Sequence, residues 1–258
     1  MIIDCHVHAG PEFITWWKDI IKSEKDFLGY LTKCGINKAI LNGSSVHLHY
    51  KNAKDVKNGN KYVLNLSKKY PGRFIPSVFV TPDYLKQSLD EMELYRKKHN
   101  VVWVGEMLNY AGDYSYDSPG CSKIFEKALE LDMIVCIHAE QDEIDNVLKK
   151  FPTMTVVLPH PGLSRKEINN RINLVSKYKN TYLDLCGYGA DRMGNVEEMV
   201  RRLGDDRIFF GSDFTVNDPG VVISRVKNAF ISKKSKEKIL YKNVLALLKS
   251  KGADLTRF

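Results

Sequence analysis

The chain lacks any apolar run near the roughly 20 residues needed to span a bilayer, which argues against a helical membrane protein. Behind Met1-Ile2-Ile3-Asp4 there is neither a basic region nor an apolar signal core. The start therefore reads as a strand, and the cytoplasm is the expected location. No internal repeat, linker or low-complexity segment interrupts it, so one domain is expected over residues 1–258. Cysteine is sparse and unpatterned. The five residues Cys5, Cys34, Cys121, Cys136 and Cys186 are odd in number and form no CxxC pair. Three of them fall inside or at the end of expected strands, where a reduced Cys serves as a small apolar residue rather than a nucleophile.

What is present suits a globular protein with a sizeable core: 43% hydrophobic and 27% charged residues in 258. The formal charge of +8 raises the question of nucleic acid, but the lysines are scattered over helix faces. The densest stretch, Lys233-Lys234-Ser235-Lys236-Glu237-Lys238, contains an acid and opens a helix. A solvated surface fits better than a basic patch, and a small-molecule substrate better than a nucleic-acid partner. Oligomeric state has no sequence signature here.

Runs rich in Val, Ile, Phe and Tyr fall at about 2–7, 38–42, 73–80, 101–106, 133–138, 155–160, 181–186 and 207–213. Segments of helical periodicity separate them, among them 83–98 (Leu85, Leu89, Met92, Tyr95), 122–131 and 165–178 (Ile168, Ile172, Val175). Pro71-Gly72 and Gly204 are stop signals for the second and seventh helices. Strands alternating with helices predict a (β/α)8 TIM barrel, with an additional amphipathic C-terminal helix over 236–249 packed on the outside.

Six metal-ligand-type side chains recur where these runs stop. His6 and His8 end the first run, and alternation places both on one face with Asp4, with Cys5 and Val7 on the other. Glu106, His138, His160 and Asp213 close the runs 101–105, 133–137, 155–159 and 208–212. In a closed barrel all these strand ends meet around one axis, whereas an open doubly wound sheet would keep them apart. A second HxH, His47-Leu48-His49, follows Asn42-Gly43-Ser44-Ser45 in an expected loop, so spacing alone is a weak signal.

Imidazole nitrogen and carboxylate oxygen suit one or two divalent ions, Zn2+ foremost, with Mn2+, Fe2+ or Ni2+ as alternatives. His6, His8 and Asp213 could hold a first ion, and His138 and His160 a second or the rest of the first. Glu106 is the carboxylate placed to bridge, unless it merely pairs with a structural Lys or Arg. Metal-bound hydroxide would be the nucleophile, with Asp213 as general base and then acid. Asp4, one layer lower, reads as a buried carboxylate that fixes a neighbouring strand. Substrate contacts are expected from the βα loops: Trp16 and Trp17, Asn109 and Tyr110, Arg165, and Tyr188 or Arg192.

HxH on strand one, a strand-four carboxylate, His on strands five and six and Asp on strand eight resemble the amidohydrolase superfamily. The segments Ile137-His138-Ala139-Glu140, Pro159-His160-Pro161-Gly162, Phe210-Gly211-Ser212-Asp213-Phe214 and Ile239-Leu240-Tyr241-Lys242-Asn243 look like its amidohydrolase-related branch. That resemblance covers nearly the whole chain. It implies metal ligation by His6, His8 and His138, a catalytic role for Asp213, and for His160 either ligation or a role as base or orienting group. It also implies a metal-dependent hydrolase of a small amide, ester or lactone, or alternatively a metal-dependent decarboxylase of an aromatic or unsaturated acid. Glu106 departs from the carboxylated Lys of many members and is more like the TatD-type metal-dependent nucleases. The strand-six and strand-eight segments, however, do not follow the TatD pattern, so a TatD-like metal-dependent nuclease is a further alternative behind the hydrolase and the decarboxylase.

Overall fold

A computed structural model describes residues 1–10, 20–43 and 50–257. Among the described residues, eight parallel strands run in chain order: β1 (Ile3–His8), β2 (Lys38–Asn42), β3 (Phe74–Pro76), β4 (Trp103–Leu108), β5 (Ile134–His138), β6 (Thr155–Leu158), β7 (Thr181–Asp184) and β8 (Ile208–Phe209). Two ladders, β1-β2-β3 and β4 through β8, are joined into a closed TIM barrel at two seams. At one, Val78 N donates to Trp103 O and Gly105 N to Val78 O, each at 2.9 Å. At the other, Cys5 N donates to Phe210 O at 3.0 Å and Asp213 N to His6 O at 2.9 Å.

Helices α1 (Glu24–Lys33), α2 (Ala53–Lys69), α3 (Leu85–His99), the short α4 (Asn109–Gly112), α5 (Pro119–Glu130), α6 (Gln141–Lys150), α7 (Arg165–Lys177), α8 (Asn195–Leu203) and α9 (Pro219–Asn228) follow the strands. Side chains of Ser23, Asn52, Ser118 and Ser164 accept the early backbone N–H groups of α1, α2, α5 and α7, satisfying donors the helix cannot. The chain stops α2 just before Pro71-Gly72, and Gly204 caps α8, as expected. No helix among the described residues is long and apolar enough to cross a membrane. All five cysteines are free.

Three expectations need correction. Strands β3 and β8 are shorter than their apolar runs. Pro76 has no N–H to continue a ladder, and Phe210 N leaves its neighbour strand to donate to Ile239 O at 2.9 Å. The C-terminal segment, α10 (Lys233–Glu237), a π turn (Lys238–Lys242) and α11 (Asn243–Ser250), does not lie on the outside of the barrel. Its Val244, Leu247 and Leu248 bury against Ile3, Ile40, Ile75, Trp103 and Ile134 near the strand starts, closing the barrel floor.

The third correction concerns Asp4. A bulge in β1 lets three steps from Asp4 to Val7 match two from Ala39 to Leu41, which flips the alternation partway along the strand. Ile3 and Cys5 therefore join the inner cluster, Asp4 pairs with outward Ala39, and His6 and His8 still turn inward together. Asp4 does not share their face. It does tie strands, its Oδ1 accepting from Ser212 N at 2.9 Å and from His6 N at 3.1 Å, while Oδ2 is buried without a partner.

Burial pushes the Asp4 carboxyl up to about 7, against the lowering effect of its hydrogen bonds with Ser212 and His6. The folded chain then keeps a proton that the unfolded chain has released above roughly pH 4. Stability of the metal-free protein is expected to fall as pH rises from about 4 to 7, because the native state binds more protons there. Asp4→Asn should flatten that slope; urea midpoints at pH 5 and pH 7 with the same slope in both proteins would refute the assignment.

Candidate active site

The six side chains singled out by their strand ends converge at the C-terminal mouth. His6 Nε2 and His8 Nε2 are 3.2 Å apart, and Glu106 Oε2 lies 3.1 Å and 3.4 Å from them. Asp213 Oδ1 is 3.0 Å from His8 Nε2 and 3.8 Å from His6 Nε2. The other oxygen of Glu106, Oε1, lies 3.3 Å from His138 Nδ1 and 3.7 Å from His160 Nε2, which are 3.1 Å from each other. The donors thus form two groups, His6 with His8 and Asp213, and Glu106 with His138 and His160. Glu106 has no Lys or Arg partner among the described residues; imidazoles surround it.

Only part of the set sits on regular strand. Glu106 lies inside β4, at a bulge between Val104 and Met107 rather than at the strand end. The Gly105 backbone there has φ +102°, and a Cβ would stand 2.4 Å from Cys136 O, so only glycine lets the bulge form. Ser77 Oγ donates to Gly105 O at 2.7 Å and fixes that peptide. His160 and Asp213 lie two and four residues past β6 and β8, each in left-handed backbone (φ 60° and 61°). Non-glycine residues hold that conformation at a cost of about 1–3 kcal/mol, and such strain clusters at functional sites. Gly187 makes room for the His160 ring, because a Cβ there would meet Nδ1 at 2.3 Å.

Two further groups complete the site. Asp184, at the end of β7, is fully buried, with Oδ2 2.8 Å from His6 Nδ1 and Oδ1 accepting from Cys186 N at 3.0 Å. A carboxylate can only accept, so Nδ1 of His6 is the nitrogen that donates to Asp184, which leaves Nε2 as the atom facing the cluster. Cys186 places its Sγ 3.3 Å from His6 Nδ1 and 3.5 Å from His160 Nδ1. Burial pushes this thiol well up, so it is a neutral wall rather than a nucleophile. Asp184 has a sequence signal in hindsight: an acid at the end of the short run Thr181-Tyr182-Leu183.

Electrostatics keep both carboxylates ionised. Burial opposes charge on Glu106, yet His6 and the hydrogen bonds with His138 and His160 hold its carboxyl well below the usual range. Burial also opposes charge on Asp213, and the hydrogen bond with His8 and the charges of His8, His6 and His160 lower it instead. Asn217 Nδ2 donates to its Oδ2 at 3.0 Å.

Donor chemistry and spacing fit a divalent ion. Four ligands about 2.1 Å from a tetrahedral centre lie about 3.4 Å from one another. The separations above bracket that value, and with Nδ1 engaged by Asp184 the Nε2 of His6 is the nitrogen left for an ion.

Of the expected loop contacts, Tyr110 sets its ring edge-on to His138 at 5.2 Å, and Tyr188 stacks on His160 at 5.0 Å. Asn109 instead donates to Glu143 at 3.2 Å. Arg165 lines a separate hollow with Met193 and Glu198, and Arg192 is exposed beside Asp191. Trp16, Trp17, His47 and His49 lie outside the described residues.

A barrel whose strand ends gather four imidazoles and two ionised carboxylates defines a metal-dependent barrel enzyme. The amidohydrolase family model matches residues 3–249, and the chain belongs to that family. No curated protein matches the sequence well enough to count as a relative. Among solved structures, a 2,6-dihydroxybenzoate decarboxylase complexed with 2,6-dihydroxybenzoate is similar at TM-score 0.74 and 16% identity, over 96% of this chain and 98% of that one. A dihydroxybenzoic acid decarboxylase from Polaromonas sp. JS666 with bound manganese and 2-nitroresorcinol gives 0.71 and 16%, over 100% and 99%. An uncharacterized TIM-barrel protein from Bordetella bronchiseptica gives 0.75 and 18%, over 97% and 99%.

Proposed function

We propose that this chain is a metal-dependent hydrolase that cleaves a small amide, ester or lactone. The observation that carries the reading is Glu106: one oxygen faces His6 and His8, the other His138 and His160. A carboxylate so placed suits a shared ligand between two ions, with His6, His8 and Asp213 on one side and His138 and His160 on the other. A divalent ion held there supplies Lewis acidity, lowering the pKa of water toward 7 and polarising a substrate oxygen. Zn2+ suits the imidazole-rich set, with Mn2+, Fe2+ or Ni2+ as alternatives.

The chain's own groups handle the proton. Asp213, kept ionised by its His neighbours, takes the proton released by the attacking water and returns it to the leaving nitrogen or oxygen. The Asn217 amide fixes the carboxylate plane meanwhile. His160 is held by Tyr188 stacked on its ring and by the Cys186 carbonyl 3.3 Å from Nδ1, which orients Nε2 toward Glu106.

A second reading, a decarboxylase of an aromatic or unsaturated acid, is favoured by the whole-chain likeness to the two decarboxylases. In it one ion suffices and His160 is left for proton transfer. Protein loaded with Zn2+ or Mn2+ should hydrolyse members of a panel of aryl esters, lactones and N-acyl amino acids, and lose that activity on chelation. Release of CO2 from dihydroxybenzoates with no hydrolysis of the panel would replace the first reading by the second. A chain that takes up no added metal would sink both.

A further inference from the structure

At the strand starts, on the face opposite the mouth, two cations stand side by side without a counter-ion. Lys38 is the first residue of β2, Arg73 directly precedes β3, and Ala39 N donates to Arg73 O at 2.9 Å. The β2–β3 register, with Ala39 opposite Phe74, therefore sets Lys38 opposite Arg73. Both side chains are partly buried, and neither joins an ion pair among the described residues. Lys69, a few residues before Arg73, is by contrast paired with Glu24. A neutral group holds the Arg73 guanidinium: Nη2 donates to Thr32 Oγ1 at 2.9 Å, while Nε is buried with no hydrogen-bond partner. Just before it the chain turns at Gly72, φ +81°. Apart from the flanking residues, the one atom within 4 Å of where a Cβ would stand there is Lys38 Nζ, at 3.9 Å. Open space thus lies between the ammonium and the turn. The Gly72 N–H has no acceptor among the described residues.

Like charges on neighbouring strands repel, and no acid here offsets the repulsion. Burial, and then the charge of Arg73, hold the Lys38 ammonium below its ordinary range. Nearby helix ends do not supply the missing charge. The partly negative C-termini of α1 and α2 are already met by Lys33 and by Lys68 and Lys69. Two cations and a free N–H around one opening suit a dianion better than a carboxylate. A tetrahedral oxyanion can present one edge to the guanidinium fork and a further oxygen to the ammonium, which acts as a point charge. The reacting cluster lies at the other end of the strands, so an occupant here is not the substrate.

We propose that Lys38 and Arg73, with the Gly72 turn, form a phosphate-binding site at the start of β2 and β3, which takes inorganic phosphate or the phosphate of a small monoester. The site exists only in the folded chain, where the ladder brings the two cations together. Phosphate therefore raises the melting temperature as its concentration rises.

The probes are inorganic phosphate and glycerol phosphate, titrated calorimetrically at constant ionic strength into the full chain, metal-loaded and metal-free. Arg73→Gln and Lys38→Gln should each weaken both probes at least about tenfold, the scale of one lost charge-assisted partner. Each should also remove the rise in melting temperature that phosphate gives the wild type. Lys54→Gln deletes an exposed charge at the far end of α2 and should change neither readout. Should Arg73→Gln fold poorly, Lys38→Gln, whose ammonium has no hydrogen bond to lose, decides alone. Phosphate held at a metal would be untouched by either substitution, so the comparison isolates this face. Equal phosphate affinity in wild type and both variants overturns the proposal, as does a wild type with no saturable binding. A DNA oligonucleotide, with one charge per diester, should not displace phosphate; displacement would overturn the assignment to a small dianion.

Discussion

Replacing Glu106 by Gln is expected to reduce the metal content of the loaded protein from two ions per chain to one, and to abolish most activity. The amide keeps the size of the side chain but turns one oxygen into an N–H2 donor, which cannot ligate a cation. Because Oε1 and Oε2 face different imidazole pairs, the substitution removes a negative charge shared by both halves of the site. Loss of groups that merely support ligands already costs about 10–100-fold in affinity. A direct ligand should cost more, at least about 100-fold for the weaker ion. Elemental analysis after exhaustive dialysis reads the count directly. Two ions retained in the variant would remove Glu106 from the ligand set. One ion in both proteins would move the balance to the one-ion decarboxylase.

Compared at equal metal content, Asp213→Asn should lower kcat by about a thousandfold, the scale of general acid–base catalysis, with little change in KM. Asparagine preserves the shape, but its single oxygen can meet only one of Asn217 and His8, and it cannot accept the proton of water. The pH profile gives an independent check. The Asp213 carboxyl is held below its ordinary range, so its proton-accepting form is complete well before neutrality. Activity governed by this group should therefore rise with pH only below about pH 4 and be flat above it. Any limb near neutrality then belongs to water at the metal. Retention of more than a tenth of the activity in Asp213→Asn, or an unchanged acid limb, would assign the proton transfer elsewhere, with His160 the next candidate.

The closed barrel and the convergence of six polar side chains were legible because each interrupts an apolar run at a similar point of a repeated strand–helix unit. His47-Leu48-His49 shows that the HxH spacing carries little without that position. Bulges were not legible. Whether Asp4 faces in or out depends on one extra residue in β1, and Glu106 reaches the centre through another in β4; neither leaves a periodicity to read. Asp184 was hidden because the run 181–186 was read through it to Cys186, so the acid seemed part of the strand rather than its end. Lys38 and Arg73 could not be told from the other scattered basic residues, since their significance is a pairing across strands with no acid between them, which only three dimensions reveal. The placement of α11 under the floor likewise depends on where the strands begin in space.

The left-handed turns at His160 and Asp213 divide the site by stiffness. His6, His8, Glu106 and His138 belong to strands whose ladders fix them to their neighbours, so they form a pedestal with little freedom to follow a reacting group. His160 stands on a strained corner past the end of β6, while Asp213, in the same left-handed backbone, is still tied to β1 through its N–H on His6 O. Four of the six side chains thus stand on paired strand, and two on left-handed corners beside it.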